Sequence, residues 1–164
     1  NANWNKLRKR KTSAGSSDTY YIRAHLLNDN IVGPGTTWNN LSVLTQDANN
    51  RDWYESGSHL AVETRATGPL REEGKGFIYV VTAGYGRNLN SPLLNQLAGS
   101  TLPAAEKADI QGIIEAEQFV PNSFTCTINE IDPSTGDLVE ESDHNVNVSV
   151  PNTIANTSLS DYKL

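Results

Sequence analysis

Methionine is absent from all 164 residues, cysteine occurs once and histidine three times. Each shortage excludes something. A single thiol, Cys126, cannot form an intrachain disulfide or a thiolate metal cluster. Its place inside the strand-like SFTCTINEI predicts burial as a small apolar residue. No apolar run approaches the roughly 18 residues that a membrane-crossing helix needs, so no membrane segment is expected. The opening NANWNK carries neither an initiator methionine nor the apolar stretch of a secretion signal. It is read as the start of a fragment or processed product, with any signal lying upstream and the compartment left open.

What is present is ordinary for a globular chain: 37% hydrophobic and 20% charged residues, enough to bury a core in one domain without disulfides or structural metals. Charge is unevenly placed. Five of the 13 cations (Lys6, Arg8, Lys9, Arg10 and Lys11) fall in KLRKRK, which leaves the rest of the chain at −11 against an overall −6. Such a run is read as a weak nucleic-acid-binding element or as a solvated tail, while the acidic remainder argues against a binder that depends on many phosphate contacts. Residues 1–18, basic and then TSAGSSD without periodicity, are expected to form a flexible arm on a single domain spanning 19–164.

Along that domain, TYYIRAHLL reads as a strand that ends where NDNIVGPG supplies turn residues, and LSVLT as a second, short strand. The GPG at 33–35 lacks the Lys-Ser/Thr of a phosphate loop and is a turn. SGSHLAVETRATGPLREE is expected to contain a helix, with His59, Val62 and Glu63 on one face. GFIYVVTAGYG, rich in branched and aromatic residues, predicts a central strand. Pro103 followed by Ile110, Ile113 and Ile114 on one stripe predicts a helix that stops before Pro121. SFTCTINEIDPSTGDLVEE predicts two strands about a DPSTGD turn, and the tail an edge strand before fraying. The fold class is α+β, with a mostly antiparallel sheet.

Chemistry concentrates between residues 20 and 63. Arg23 and His25 are two apart, which in a strand puts them on one face. Asn40 and Asn49 follow nine apart, and Glu63 further on. Phosphodiester hydrolysis needs a base for water, a divalent cation on the phosphate oxygens and a cation for the charge of the transition state. A histidine, oxygen ligands and an arginine can supply these services. Asn28, Asn30 and Asn39 are read as turn formers, His59 as a solvated helix residue and His144 as part of a polar tail.

With RAH at 23–25, NLSVLTQDAN at 40–49 and VE at 62–63, the sequence resembles the DNA/RNA non-specific endonucleases of the ββα-metal (His-Me finger) superfamily. More narrowly, AHLLNDNIVGPGTTWNNLSVLTQDAN, SHLAVE, YVVTAGYG and EAEQFVPNSFTCTINEID are similar to nuclease-like C-terminal domains of bacterial toxins and contractile-injection-system effectors. The resemblance covers roughly residues 19–132. It implies a ββα-metal core and a hydrolase acting on DNA or RNA with one Mg²⁺, for which Mn²⁺ can substitute. His25 would be the general base, Asn49 the protein ligand to the metal and Arg23 the stabiliser of the pentacovalent phosphate. Asn40 would hold His25 or the metal's waters, and Glu63, or in its place Glu55, would bond metal-bound water. A secreted or injected effector with an immunity or delivery partner is also implied. Ala24 stands where that family has glycine, and Ile22 where many members have aspartate.

Overall fold

The computed structural model describes residues 2–27, 37–50 and 74–164. In chain order these form α1 (Ala2–Leu7), β1 (Tyr21–His25), a 3₁₀ turn (Trp38–Asn40), β2 (Leu41–Thr45), α2 (Gln46–Asn50) and β3 (Gly76–Gly84). There follow α3 (Ser91–Gly99), α4 (Ala104–Glu117), β4 (Ser123–Ile131), β5 (Val146–Pro151) and a 3₁₀ turn at Leu159–Asp161. β1 and β2 pair antiparallel as one sheet, and β3-β4-β5 form a second antiparallel sheet. The class is therefore α+β with antiparallel sheets.

The β1–β2 hairpin is the middle layer. Side chains alternate across a strand, so Ile22, Ala24 and Leu44 join the sheet core of Phe124, Cys126, Ile128 and Val150. Tyr21 and Val43 face the opposite way, into a helical core built on Leu7, Leu93, Leu97, Ile110, Ile113 and Ile114. Both strands are short, and each face has a core to cover it.

The isoleucine stripe is buried on α4, which begins directly after Pro103. Cys126 is fully buried. α3 lies where no element was anticipated; Asn90 caps it by accepting from the Leu93 N–H at 3.2 Å, and Pro92 sits in its first turn, where a missing N–H costs nothing.

Four expectations change. Among the described residues β3 pairs with β4 alone and not on both edges, and Ile78 and Val80 are 44% and 46% exposed. Branched content marks a strand, but not the number of its neighbours. The second strand expected after DPSTGD reduces to one bridge, Ile131 to Leu138. The tail does not fray after β5, since Asn152, Ile154 and Tyr162 are buried and the Lys11 N–H donates to the Lys163 carbonyl. The basic arm is folded against the body, with Leu7 and Arg10 buried. The helix expected within 56–73, the NDNIVGPG turn, Asn28, Asn30, Glu55, His59 and Glu63 lie outside the described residues.

Candidate functional site

The candidate site begins at the hairpin. Register pairs Tyr21 with Thr45, Arg23 with Val43 and His25 with Leu41. Alternation places Arg23 and His25 on the side of Tyr21 and Val43, facing the helices. Arg23 is exposed there, its guanidinium carbon 5.1 Å from the centre of the Trp4 ring on α1. His25, at the strand end, is half-buried.

Asn40 fastens the hairpin just beyond His25. Its Oδ1 accepts from the Leu27 N–H at 2.8 Å, its Nδ2 donates to the Leu27 carbonyl at 2.7 Å, and its own carbonyl accepts from the Leu26 N–H at 2.8 Å. An asparagine amide presents one acceptor and one donor group, which match the C=O and N–H of a single residue. Asn40 thus fixes where the backbone leaves His25.

α2 starts without a loop. Thr45, the last residue of β2, accepts the Ala48 N–H on Oγ1 at 3.1 Å, the bond of a helix N-cap. Ala48 reaches the sheet core, and Asn49 follows it, half-buried. Histidine thus ends β1, and asparagine lies on the helix that directly follows its partner strand β2. Ala48 lies in the core on the Ala24 face, whereas Arg23 and His25 take the alternate positions.

A residue with no signal in the sequence holds this unit to the sheet. Asn152, fully buried just past β5, accepts from the Thr45 N–H at 2.9 Å and donates to the carbonyls of Val43 (3.1 Å) and Pro121 (2.9 Å). Asn152→Asp removes both donations and places a charge among carbonyls, so a loss of about 2–4 kcal/mol is expected in urea denaturation. A change below about 0.5 kcal/mol, the level of ordinary surface substitutions, would mean that Asn152 does not clamp β2.

Among the described residues, the densest buried charge cluster lies elsewhere and was also missed. Arg10 is fully buried and its Nη1 meets Glu117 Oε1 at 2.6 Å. Tyr21 donates to the same oxygen at 2.6 Å, and Tyr162 to Oε2 at 2.7 Å. Arg10 Nη2 donates to the carbonyls of Ala155 and Asp161, and the guanidinium lies 3.8 Å and 4.3 Å from the Tyr20 and Tyr162 ring centres. Burial, and then the Glu117 charge, push both Tyr21 and Tyr162 well above the usual phenol range. Burial would lower the Arg10 guanidinium, but the surrounding Tyr21, Glu117, Tyr20 and Tyr162 outweigh it and hold it raised. Both Glu117 oxygens are engaged, so the cluster ties the N-terminal segment, β1, α4 and the C-terminal tail together and is not arranged to act on a substrate. A sequence signal existed: Glu117 continues the stripe of Ile110, Ile113 and Ile114, where a carboxylate is out of place unless paired.

The remaining cations follow from this packing. Arg10 cannot contact a phosphate, since its charge is consumed inside the protein. Lys6 pairs with Glu115 at 3.3 Å, Lys9 with Asp109, and Lys11 donates to the Ser17 carbonyl at 3.3 Å. Arg8 is exposed.

No three His, Cys, Asp or Glu side chains gather as a metal cage among the described residues. Of the residues expected beside a metal, Asn49 on α2 would offer a neutral hard amide oxygen, which suits Mg²⁺ better than a softer ion, while Glu55 and Glu63 lie outside the described residues. A scan against protein-family models finds no match, and neither curated proteins nor solved structures yield one, so the nuclease resemblance rests on the motif residues and their placement.

Proposed function

We propose that the chain is a nuclease-like domain that cleaves DNA or RNA phosphodiesters without sequence preference, as the effector end of a larger bacterial protein. The observation that carries this reading is the antiparallel pairing of β1 with β2 and the start of α2 directly after β2, with His25 closing β1 and Asn49 on that helix. His25 takes the proton of the attacking water. Arg23, on the same strand face, bonds the phosphate oxygens as charge accumulates on them. Asn40 sets the backbone geometry at the end of β1 through Leu27. Asn49 would hold Mg²⁺, which when bound supplies positive charge to the phosphate and lowers the pKa of water.

A second reading, a nuclease-like module that binds or assembles without cutting, is favoured by three placements. The Ala24 side chain is buried in the sheet core, where the family's glycine would leave room. Asn40 is committed to Leu27, and Ala48 of α2 reaches the core on the strand face opposite Arg23 and His25.

Metal dependence separates the two. Purified protein is expected to degrade plasmid or total RNA in Mg²⁺ and to stop in EDTA. Asn49→Ala is expected to abolish both cleavage and the stabilisation conferred by Mn²⁺. By RT ln(1 + [L]/Kd) that stabilisation is about 0.4 kcal/mol when metal equals Kd and about 1.4 kcal/mol at tenfold excess, so a titration reads it better than one concentration. Cleavage undiminished by EDTA would remove the one-metal mechanism. Absence of both cleavage and a metal-dependent shift would favour the silent module.

A further inference from the structure

A groove of about 180 Å³ opens beside the hairpin, on the face that carries Arg23 and His25. Trp4, Arg23, Tyr85 and Phe119 line it, together with Val43 and Pro121. Tyr85 and Phe119 are 64% and 62% exposed, unusual for large aromatic rings. They are also firmly mounted. Tyr85 directly follows β3 and Phe119 closely follows α4, and Arg87 bonds the two turns together, with Nε donating to the Val120 carbonyl at 3.2 Å and Nη2 to that of Pro121 at 3.1 Å. The Asn122 N–H closes the same junction on the Gly84 carbonyl at 2.6 Å.

From this geometry we infer that the groove is a stacking platform for the bases of a single-stranded nucleic acid, held at its phosphates by Arg23 and Arg8. The inference deepens the nucleic-acid reading above and rests on it. Three observations support this occupant. Flat rings beside a guanidinium accept any base, because every base has a π-face, and a ring-stacked arginine contributes further. Arg23 lines the groove, and Arg8, also exposed, lies one turn beyond Trp4 with its N–H on the Trp4 carbonyl at 3.0 Å, in a chain of net charge −6. His25 is two residues along the same strand face from Arg23, which would place a strand laid in the groove beside the base proposed for cleavage. A duplex keeps its bases stacked on one another and offers no face to Tyr85 or Phe119. The cavity is too small and open for a typical small-molecule ligand, whose sites run to roughly 300–1,000 Å³.

The test measures fluorescence anisotropy of a labelled oligo(dT) and of the same strand annealed to oligo(dA), with the full chain in EDTA, where the proposed cleavage does not run. Wild-type protein is expected to bind the single strand at least ~10-fold tighter than the duplex. Tyr85→Ala and Phe119→Ala are each expected to weaken it by about 5- to 150-fold, the effect of losing one base–aromatic stack, while Tyr85→Phe retains it. Both side chains are largely exposed, so the variants should keep the wild-type circular dichroism and unfolding midpoint. Equal affinity for single strand and duplex, or affinity untouched by both alanine variants, overturns the inference. So does a self-association that these variants abolish while oligonucleotide binding is unchanged, which would assign the rings to a second copy of the chain. The two readings fail separately: tight oligo(dT) binding without Mg²⁺-dependent cleavage sinks the nuclease and leaves the platform, whereas cleavage with no dependence on the rings does the reverse.

Discussion

Arg10→Ala is expected to cost about 3–5 kcal/mol, the range for removing one partner of a buried ion pair, and so a large share of the roughly 5–15 kcal/mol that a domain possesses. The reason is what it leaves behind. Glu117 would stay buried on α4 with only two phenol donors, and its charge at a helix C-terminus would meet the negative end of the helix dipole without compensation. Four chain segments converge on this pair, so the loss should appear as loosening of both termini in hydrogen exchange and as a lower urea midpoint. The double variant Arg10→Met/Glu117→Leu is expected to lose less than either single change, because an apolar pair of similar volume removes the desolvation cost along with the attraction. Single variants within about 1 kcal/mol of wild type would show that the pair ties nothing.

The same cluster sets a pH dependence. Tyr21 and Tyr162 are raised above the ordinary phenol value of 10.0, first by burial and then by Glu117. A group raised on folding contributes its full stability below its unfolded pKa, and that contribution is lost as pH rises towards the folded value. Stability should therefore be steady up to about pH 9 and fall beyond pH 10, and Tyr162→Phe should flatten the fall.

What could be read from the sequence was what local pattern determines. LSVLT is β2 and the isoleucine stripe after Pro103 is α4, because branched content and a 3.6-residue period report directly on backbone and face. Neighbours in space were not readable. GFIYVVTAG forms a strand, but its pairing with β4 alone among the described residues depends on which segments approach it. In KLRKRK one of five similar cations is buried and the others lie at or near the surface, and no feature of the run distinguishes Arg10. Glu117 was the half of that pair that could be found, being a carboxylate in line with three isoleucines. The candidate site divides in the same way. The spacing of Arg23 and His25 gives their shared strand face, whereas the short helix that carries Asn49 follows from the Thr45 cap on Ala48. The clamp of Asn152 on Thr45, Val43 and Pro121 joins residues more than a hundred positions apart in two of its bonds, which no spacing encodes.

His25→Ala is expected to lower cleavage by two to four orders of magnitude, the usual contribution of a positioned general base. The fold should survive, for His25 is half-buried at the end of β1 and belongs to neither apolar core. Hairpin closure lies one to two residues further on, in the bonds of Asn40 to Leu26 and Leu27, so the backbone path is fixed without the imidazole. Added imidazole should restore part of the lost rate in this variant and none in Asn49→Ala, because a small base can replace a missing proton acceptor but not a missing oxygen ligand. The Mn²⁺-dependent stabilisation should persist in His25→Ala for the same reason. If His25→Ala cleaves at the wild-type rate, the base is another group and the ββα reading of the hairpin fails at its first residue. If it is inactive, keeps its metal response and regains activity with imidazole, the proton acceptor is His25 and the remaining question is which strand lies across Arg23.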